Sequence, residues 1–277
     1  MTRKRPPPTG VPLRTYLGRL IWMCVLPLLV LAIWLAYDRV RASHVQRNQQ
    51  AAAQVRNFAA NVDQQLELRI RALSMLAASP LVDDPKHWPD LYREAQSFRE
   101  NFGSHVVLAG TGQPMRMLFS TRVPFGEKLP PLPRPAGHAA APTAVATMKP
   151  AVGDTFPAPL AKETLVAIAA PAVREGKAAY VLLTTVATGS FQARLDQFAL
   201  PDEWAMTLRD GRGAIIARRA PEGFDSSQDV GASGRFVAPS ALSHWSVELE
   251  IPRAAQWAPL AKTGAALLLG LAGATLI

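Results

Sequence analysis

Near the start of the chain, residues 20–37 (LIWMCVLPLLVLAIWLAY) form an apolar run that contains no charged residue. As a helix this run would be ~27 Å long, close to the ~30 Å hydrocarbon core of a bilayer. Trp22, Trp34 and Tyr37 lie toward its ends, where amphipathic rings favour the membrane interface. A cleaved signal peptide is the alternative, but its apolar region is normally only about 7–15 residues long. The run therefore favours an uncleaved membrane anchor.

The basic residues before this anchor predict its orientation. Residues 1–19 contain Arg3, Lys4, Arg5, Arg14 and Arg19 and no acidic residue, which predicts a cytoplasmic N-terminus and an extracytoplasmic segment after the anchor. This tail also supplies much of the chain's net charge of +9. The basic character is thus explained by topology, and no nucleic-acid partner is expected.

The last residues resemble the start of another membrane segment. Residues 263–277 are continuously apolar, but a membrane-spanning helix needs ~20 such residues. We expect 257–277 to be a second membrane helix that is cut short, and the sequence to be the front part of a longer protein. The lone cysteine, Cys24, excludes an intrachain disulfide and a cysteine metal site.

A long amphipathic helix is predicted directly after the anchor. Residues 38–78 contain no proline or glycine, and apolar residues from Val55 to Leu76 recur at steps of three and four. Ser79 and Pro80 should end the helix. Its C-terminal half would pack on a core, while its N-terminal half, rich in Gln and Ala, favours pairing with a second copy of the chain.

The remaining extracytoplasmic residues alternate between helix and strand patterns. A short helix over 88–101 is followed by a hairpin over 104–122, a proline-rich linker at 129–137, and two apolar runs, 164–173 and 178–187, joined by a tight turn. A weaker second round contains a helix over 190–198, a hairpin over 203–220 and a strand over 244–252. This order predicts an α+β fold with one antiparallel sheet module and an abbreviated second one.

These features define a domain plan. We predict a cytoplasmic tail (1–19), a first membrane helix (20–37), a long signalling and dimerisation helix (38–79), a membrane-distal sensor module (80–188), an abbreviated membrane-proximal module (189–256) and the start of a second membrane helix (257–277).

The motifs in this order, among them TRVPFG (121–126) and HWSVELEIPRA (244–254), resemble the Cache-type, PAS-like extracytoplasmic sensor domains of bacterial receptors. Such domains occur in sensor histidine kinases, diguanylate cyclases and chemoreceptors. The resemblance covers roughly 38–261 and is greatest to the sensor histidine kinases. It implies a homodimer in the bacterial inner membrane whose residues 38–256 face the periplasm.

The resemblance also implies a ligand site. Arg122 would lie at the rim of a cavity, where a guanidinium suits a carboxylate or phosphate. Asp154 would face a ligand amino group. The other candidate ligand-binding residues are Thr121, Phe119, Phe156 and Tyr180, the aromatic ones as cavity walls. The implied ligand is a small anionic or zwitterionic metabolite.

Ordinary structural roles remain open for the same residues. In this alternative Arg122 pairs with Glu127 at a solvated strand end, Asp154 forms a turn, and the three aromatic residues belong to the core. No catalytic motif, metal-ligand spacing or cofactor loop occurs in the sequence, so no catalytic residue, metal or cofactor is expected.

The sequence thus favours the ligand-sensing and signal-transducing part of a sensor histidine kinase, with the catalytic part beyond residue 277. Two alternatives remain. The same sensor could serve a diguanylate cyclase or a chemoreceptor, or the chain could be a membrane-tethered interaction protein with no effector domain.

Overall fold

The computed structural model describes residues 13–133, 135–158, 163–225 and 230–252. Its α-helices are α1 (Leu13–Ala78), α2 (Trp88–Phe102), α3 (Ala140–Thr147) and α4 (Thr188–Gln197). Its strands are β1 (His105–Gly110), β2 (Met117–Ser120), β3 (Ala151–Val152), β4 (Phe156–Ala158), β5 (Glu163–Arg174), β6 (Lys177–Ala187), β7 (Ala205–Arg209), β8 (Ile215–Arg219), β9 (Val230–Pro239) and β10 (Ser246–Pro252).

The chain divides into two compact units. In the described residues, one unit is the N-terminal portion of α1 up to residue 49. The other comprises residues 50–256 and contains both β-sheets. The boundaries of the domain plan made from the sequence stay predictions.

None of the helices within the described residues is both long and apolar enough to cross a membrane. The first predicted anchor, 20–37, falls in a part of α1 where many side chains lie outside the described residues. The second, 257–277, lies wholly outside them.

Helix α1 ends where the sequence predicts. Ser79 adopts an extended conformation (φ −60°, ψ 134°), as a residue before proline prefers. The apolar positions found in the sequence form the buried side of the helix, with Phe58, Leu66 and Leu73 fully covered. Burying each such side chain contributes about 1.5–3 kcal/mol, so the packing of this face holds residues 50–78 of α1 against the rest of the second unit.

The first sheet is antiparallel, with the order β2-β1-β6-β5-β3, and β4 also pairs with β5. Side chains alternate between its two faces. On one face Leu108, Ile168 and Leu182 join the core that contains α1 and α2. On the other face their neighbours, among them Ala167 and Leu183, pack with α3.

The second sheet has the order β8-β7-β10-β9, again antiparallel. The predicted α+β, PAS-like fold with a smaller second module is therefore confirmed. Strand β9 was not anticipated, because its sequence, VGASGRFVAP, is rich in residues typical of loops. Helix α3 was missed for a similar reason, since half of its eight residues are alanine and the segment shows no clear apolar period.

Candidate functional site: a cavity on the first sheet

A cavity of about 370 Å³ lies on the face of the first sheet that is turned away from α1. Strand residues such as Val107, Leu165 and Leu183 line it, and the start of α3 and the proline-rich linker contribute to its walls. Most of its surface is apolar. Its volume falls within the ~300–1,000 Å³ range of small-molecule sites.

The proline-rich linker forms one wall of this cavity. Pro130, Pro131 and Pro133 lie along it, and the Leu132 amide donates to the Met115 carbonyl at 3.2 Å. Proline has no amide proton, so this segment cannot extend the sheet as a regular strand. It instead crosses beside the sheet and leaves space between its side chains and the strands.

Arg122 reaches the cavity from the turn that follows β2. The turn is held by the Val123 amide, which donates to the Ser120 carbonyl (3.2 Å), and by the Tyr92 hydroxyl, which donates to the Val123 carbonyl (2.9 Å). Gly126 has a φ of +92°, which favours glycine. That Pro124 and Gly126 set the direction of the arginine stays a prediction.

The guanidinium of Arg122 has few partners among the described residues. Its Nη2 donates to the Thr185 hydroxyl at 3.5 Å and lies 3.8 Å from a carboxylate oxygen of Glu163. Glu163, and not the Glu127 considered from the sequence, is therefore its neighbouring acid. Burial lowers the pKa of Arg122, and the charge of Glu163 acts in the opposite direction. Arginine stays charged even so, and within the described residues most of its N–H donors have no acceptor.

Asp154 also borders the cavity, but its carboxylate is engaged elsewhere. Oδ2 accepts from the His138 amide at 2.7 Å, and Oδ1 accepts from the Gly211 amide at 2.9 Å. The ring of His138 lies 3.3 Å from Oδ2. Because the side chain is only 1% exposed, its oxygens offer almost no surface to the cavity.

The other predicted site residues divide between the two faces of the sheet. Phe156 lines the cavity beside Arg122 and Asp154. Phe119 and Tyr180 lie instead in the core on the α1 side, where they make edge contacts with Tyr92 and Trp88 respectively.

Thr121 is buried outside the cavity lining as well. Its hydroxyl accepts a hydrogen bond from the Val106 amide at 3.0 Å and lies 3.2 Å from Nδ1 of His105. Burial, followed by the positive charge of Arg122, lowers the pKa of His105. Of the six predicted residues, the cavity thus brings together Arg122, Asp154 and Phe156.

Sequence reasoning missed several lining residues. Ser120 and Thr185 bring hydroxyl groups, and Met115, Met117 and Leu132 extend the apolar wall. The signal for Thr185 was present, since it alternates with buried Thr184 along β6 and pairs with Ala167 of β5. Neighbouring residues of a strand point to opposite faces of the sheet, and only the pairing register shows whether Thr184 or Thr185 faces the cavity.

A short connector, residues 153–155 (GDT), links the cavity to the second sheet. The indole Nε1 of Trp245 donates to the Gly153 carbonyl at 3.2 Å in a buried contact. Asp210 accepts from the Thr155 amide and hydroxyl at 3.2 and 2.7 Å. Every residue of the connector is therefore bonded to the loops that bound β7 and β10.

The same region contains a stacked histidine pair. The rings of His138 and His244 have centroids 3.9 Å apart and are inclined by 8°. Within the part of the chain that the structure describes, no three His, Cys, Asp or Glu side chains are grouped to hold a metal ion. The pair packs at the contact between the two sheets, next to Gly211.

Comparison with known proteins supports the assignment of the fold. No family model matches the chain, and no curated protein matches it. Several solved structures are similar to the chain. The ligand-binding domain of the Pseudomonas fluorescens chemoreceptor CtaA in complex with L-isoleucine is 13% identical, with a TM-score of 0.54 over 80% of this chain and 97% of that one.

Two further chemoreceptor domains are similar. The ligand-binding domain of Pseudomonas aeruginosa PctC in complex with GABA is 17% identical (TM-score 0.53, 74% of this chain and 99% of that one). The sensory domain of Campylobacter jejuni Tlp3 is 11% identical (TM-score 0.56, 79% and 99%). Residues 38–261 were predicted to resemble Cache-type sensor domains, and the fold is indeed that of chemoreceptor ligand-binding domains.

Proposed function

We propose that the chain is the extracytoplasmic ligand-sensing portion of a bacterial membrane receptor, with a sensor histidine kinase as the preferred parent protein. One observation carries the proposal: a cavity of about 370 Å³, mostly apolar and containing the partly buried Arg122 guanidinium, on the sheet face opposite the long helix. Such a combination of apolar walls and few polar groups is typical of small-molecule sites.

The ligand in this proposal is a small anionic or zwitterionic metabolite. Arg122 supports this class because its guanidinium has one long hydrogen bond and one distant acid within the described residues. A bound carboxylate or phosphate would complete its donors with charge-assisted hydrogen bonds.

Two routes would carry the signal out of the cavity. In the first, the sheet tightens against α1 and shifts this helix relative to its dimer mate, by ~1–2 Å as is usual for interface helices. In the second, the connector (153–155) moves with the ligand and displaces Trp245, which immediately precedes β10. In either route the ligand acts through its different affinities for the two states.

The proposal places the homodimer contact on α1 and the protein in the inner membrane, with residues 38–256 in the periplasm. In the C-terminal half of the helix, and not in the N-terminal half that the sequence favours, Leu68 and Met75 support a dimer contact, because both are exposed (56% and 76%) on the side of α1 away from the core. They lie one heptad apart, the spacing of paired helices.

Ligand-induced thermal stabilisation tests the sensing function. The 277-residue chain, purified in detergent, would be screened against carboxylates, phosphates, amino acids and amines. We expect at least one compound to raise the Tm, and Arg122→Ala to remove that shift. Arg93→Ala is the matched control, since this arginine is well exposed on α2. A shift that survives in Arg122→Ala would contradict the assigned site.

A chemoreceptor is the second candidate parent, and the similar structures favour it because all three are chemoreceptor domains. Reading the gene in frame past codon 277 separates the candidates. A histidine-bearing helix followed by an ATP-binding domain supports the kinase. A long methyl-accepting helical region supports the chemoreceptor, and a GG(D/E)EF domain supports the cyclase. An early stop codon would favour the tethered interaction protein.

A further inference from the structure

The cavity is electrostatically one-sided. Among its described lining residues, Arg122 is the cation and Asp154 the acid. These two side chains differ greatly in what they present, since that of Arg122 is 20% exposed and that of Asp154 only 1%. Among the described lining residues, a ligand in the cavity therefore meets a guanidinium and no accessible carboxylate.

The orientation of Asp154 explains this difference. Its two oxygens point to the amides of His138 and Gly211, at 2.7 and 2.9 Å. Recruiting this carboxylate for a ligand would require breaking bonds that hold the two sheets together. Glu163, the acid near Arg122, does not line the cavity and is about half exposed.

A buried ammonium group would find poor compensation here. Besides Arg122 and Asp154, the polar side chains of the described lining are the hydroxyls of Ser120 and Thr185. The Ser120 hydroxyl already accepts from the Arg122 amide at 3.3 Å, and the Thr185 hydroxyl from its guanidinium at 3.5 Å. Placing a charge among apolar walls without a counter-charge is strongly unfavourable.

We propose that the cavity is specific for monocarboxylates with an apolar body and rejects the corresponding α-amino acids. The carboxylate pairs with the Arg122 guanidinium, and the body packs against Phe156, Leu165 and Leu183. The cavity holds the volume of roughly a dozen water molecules, which suits an aryl-alkanoate or a branched medium-chain acid. This inference rests on the proposed sensing function and narrows its ligand class.

Two matched sets of ligands, each with an acid, its α-amino acid and its amide, test the specificity. The 277-residue chain in detergent would be titrated with 3-phenylpropanoate, L-phenylalanine and 3-phenylpropanamide, and with 4-methylpentanoate, L-leucine and 4-methylpentanamide. Thermal shift and calorimetry would be the measurements. We expect at least one acid to bind at least roughly tenfold more tightly than its amino acid and its amide, because a charge-assisted bond is lost in the amide and an ammonium is buried in the amino acid.

Variants separate the possible outcomes. Arg122→Ala should weaken the acid by roughly tenfold or more, while Arg122→Lys should retain part of the binding, and Arg93→Ala should leave it unchanged. Preferred binding of the amino acids overturns the specificity while leaving the sensing function in place. Preferred binding of the amides overturns it equally. If no compound in these sets or in the wider screen raises the Tm, the specificity and the sensing function both fail.

Discussion

Asp154 and Asp210 make reciprocal contacts between the two sheets. Asp154, beside the cavity, accepts from the Gly211 amide at 2.9 Å, and Asp210, in the β7–β8 turn, accepts from the Thr155 amide at 3.2 Å. Each carboxylate thus bonds the residue that follows the other. This exchange joins the connector of the cavity to the second sheet through groups that are buried in both cases.

Replacing Asp154 with asparagine should destabilise the fold. An amide group would present N–H donors to backbone amides that themselves need acceptors, those of His138 and Gly211. We expect a loss of about 1–3 kcal/mol in the free energy of unfolding, measured by urea denaturation. Asp202→Asn is the control, since its exposed ion pair with Arg219 contributes little. Equal stability of the two variants would contradict this role.

Asp210 should make the fold sensitive to acid. Although burial alone would raise its pKa, hydrogen bonds from Thr155, Ala214 and Arg212 lower the pKa of this carboxyl overall. A lowered folded-state pKa contributes stability that is present above the unfolded value of about 3.9 and is lost as the pH falls through the folded value.

The test compares unfolding free energies from about pH 5 to about pH 2. We expect the wild-type chain to lose more stability over this interval than Asp210→Asn does, whereas Asp202→Asn should follow the wild type. If the free energy of unfolding changes equally with pH in the wild type and in Asp210→Asn, the carboxyl of Asp210 does not contribute to the acid sensitivity.

Gly211 should tolerate no side chain. A Cβ at this position would lie 2.9 Å from Asp154 Oδ1, from His138 Nδ1 and from the Cβ of His244. Gly211→Ala should therefore force the two sheets apart locally and cost about 1–3 kcal/mol. Gly112→Ala, where a Cβ meets nothing within 4 Å, should change stability by less than about 0.5 kcal/mol. Thermal denaturation of both variants would measure the difference. Equal Tm values for Gly211→Ala and Gly112→Ala would contradict the close approach at Gly211.

The proposed dimer contact on α1 predicts a change in mass. Exchanging both Leu68 and Met75 for glutamate places like charges on the facing helices and should shift the chain from dimer to monomer. Light scattering with correction for detergent would measure this. The control is the double variant Ile215→Glu with Val237→Glu, which alters two other exposed apolar residues by the same charge. If the control variant becomes monomeric and the Leu68→Glu, Met75→Glu variant stays dimeric, the dimer contact does not lie on this side of α1.

Local sequence pattern was sufficient to predict most of the helices and strands, but not all of them. The end of α1 at Ala78 and the tight turn between β5 and β6 follow from proline, glycine and apolar period, which act over a few residues. Strand β9 and helix α3 lacked such a pattern and became ordered only through the neighbours on which they pack.

The identity of the cavity residues depended on tertiary structure. Phe119 and Ser120 are adjacent, yet Phe119 pairs with Leu108 on the α1 side and Ser120 pairs with Val107 on the cavity side. A shift of one residue in register would exchange them. The sequence alone therefore identified suitable side chains, Phe119 and Tyr180 included, without showing which face each occupies.

What the sequence determines and what only the tertiary structure decides differ for a physical reason. From the sequence by itself came the apolar end segments, the α+β order of elements, the long helix and an arginine held at a turn, because all of these arise from interactions between near neighbours in the chain. Only the tertiary structure decided that Asp154 bonds Gly211 and leaves the Arg122 guanidinium as the accessible charge of the described cavity lining. That outcome depends on contacts between distant segments, which no local pattern encodes.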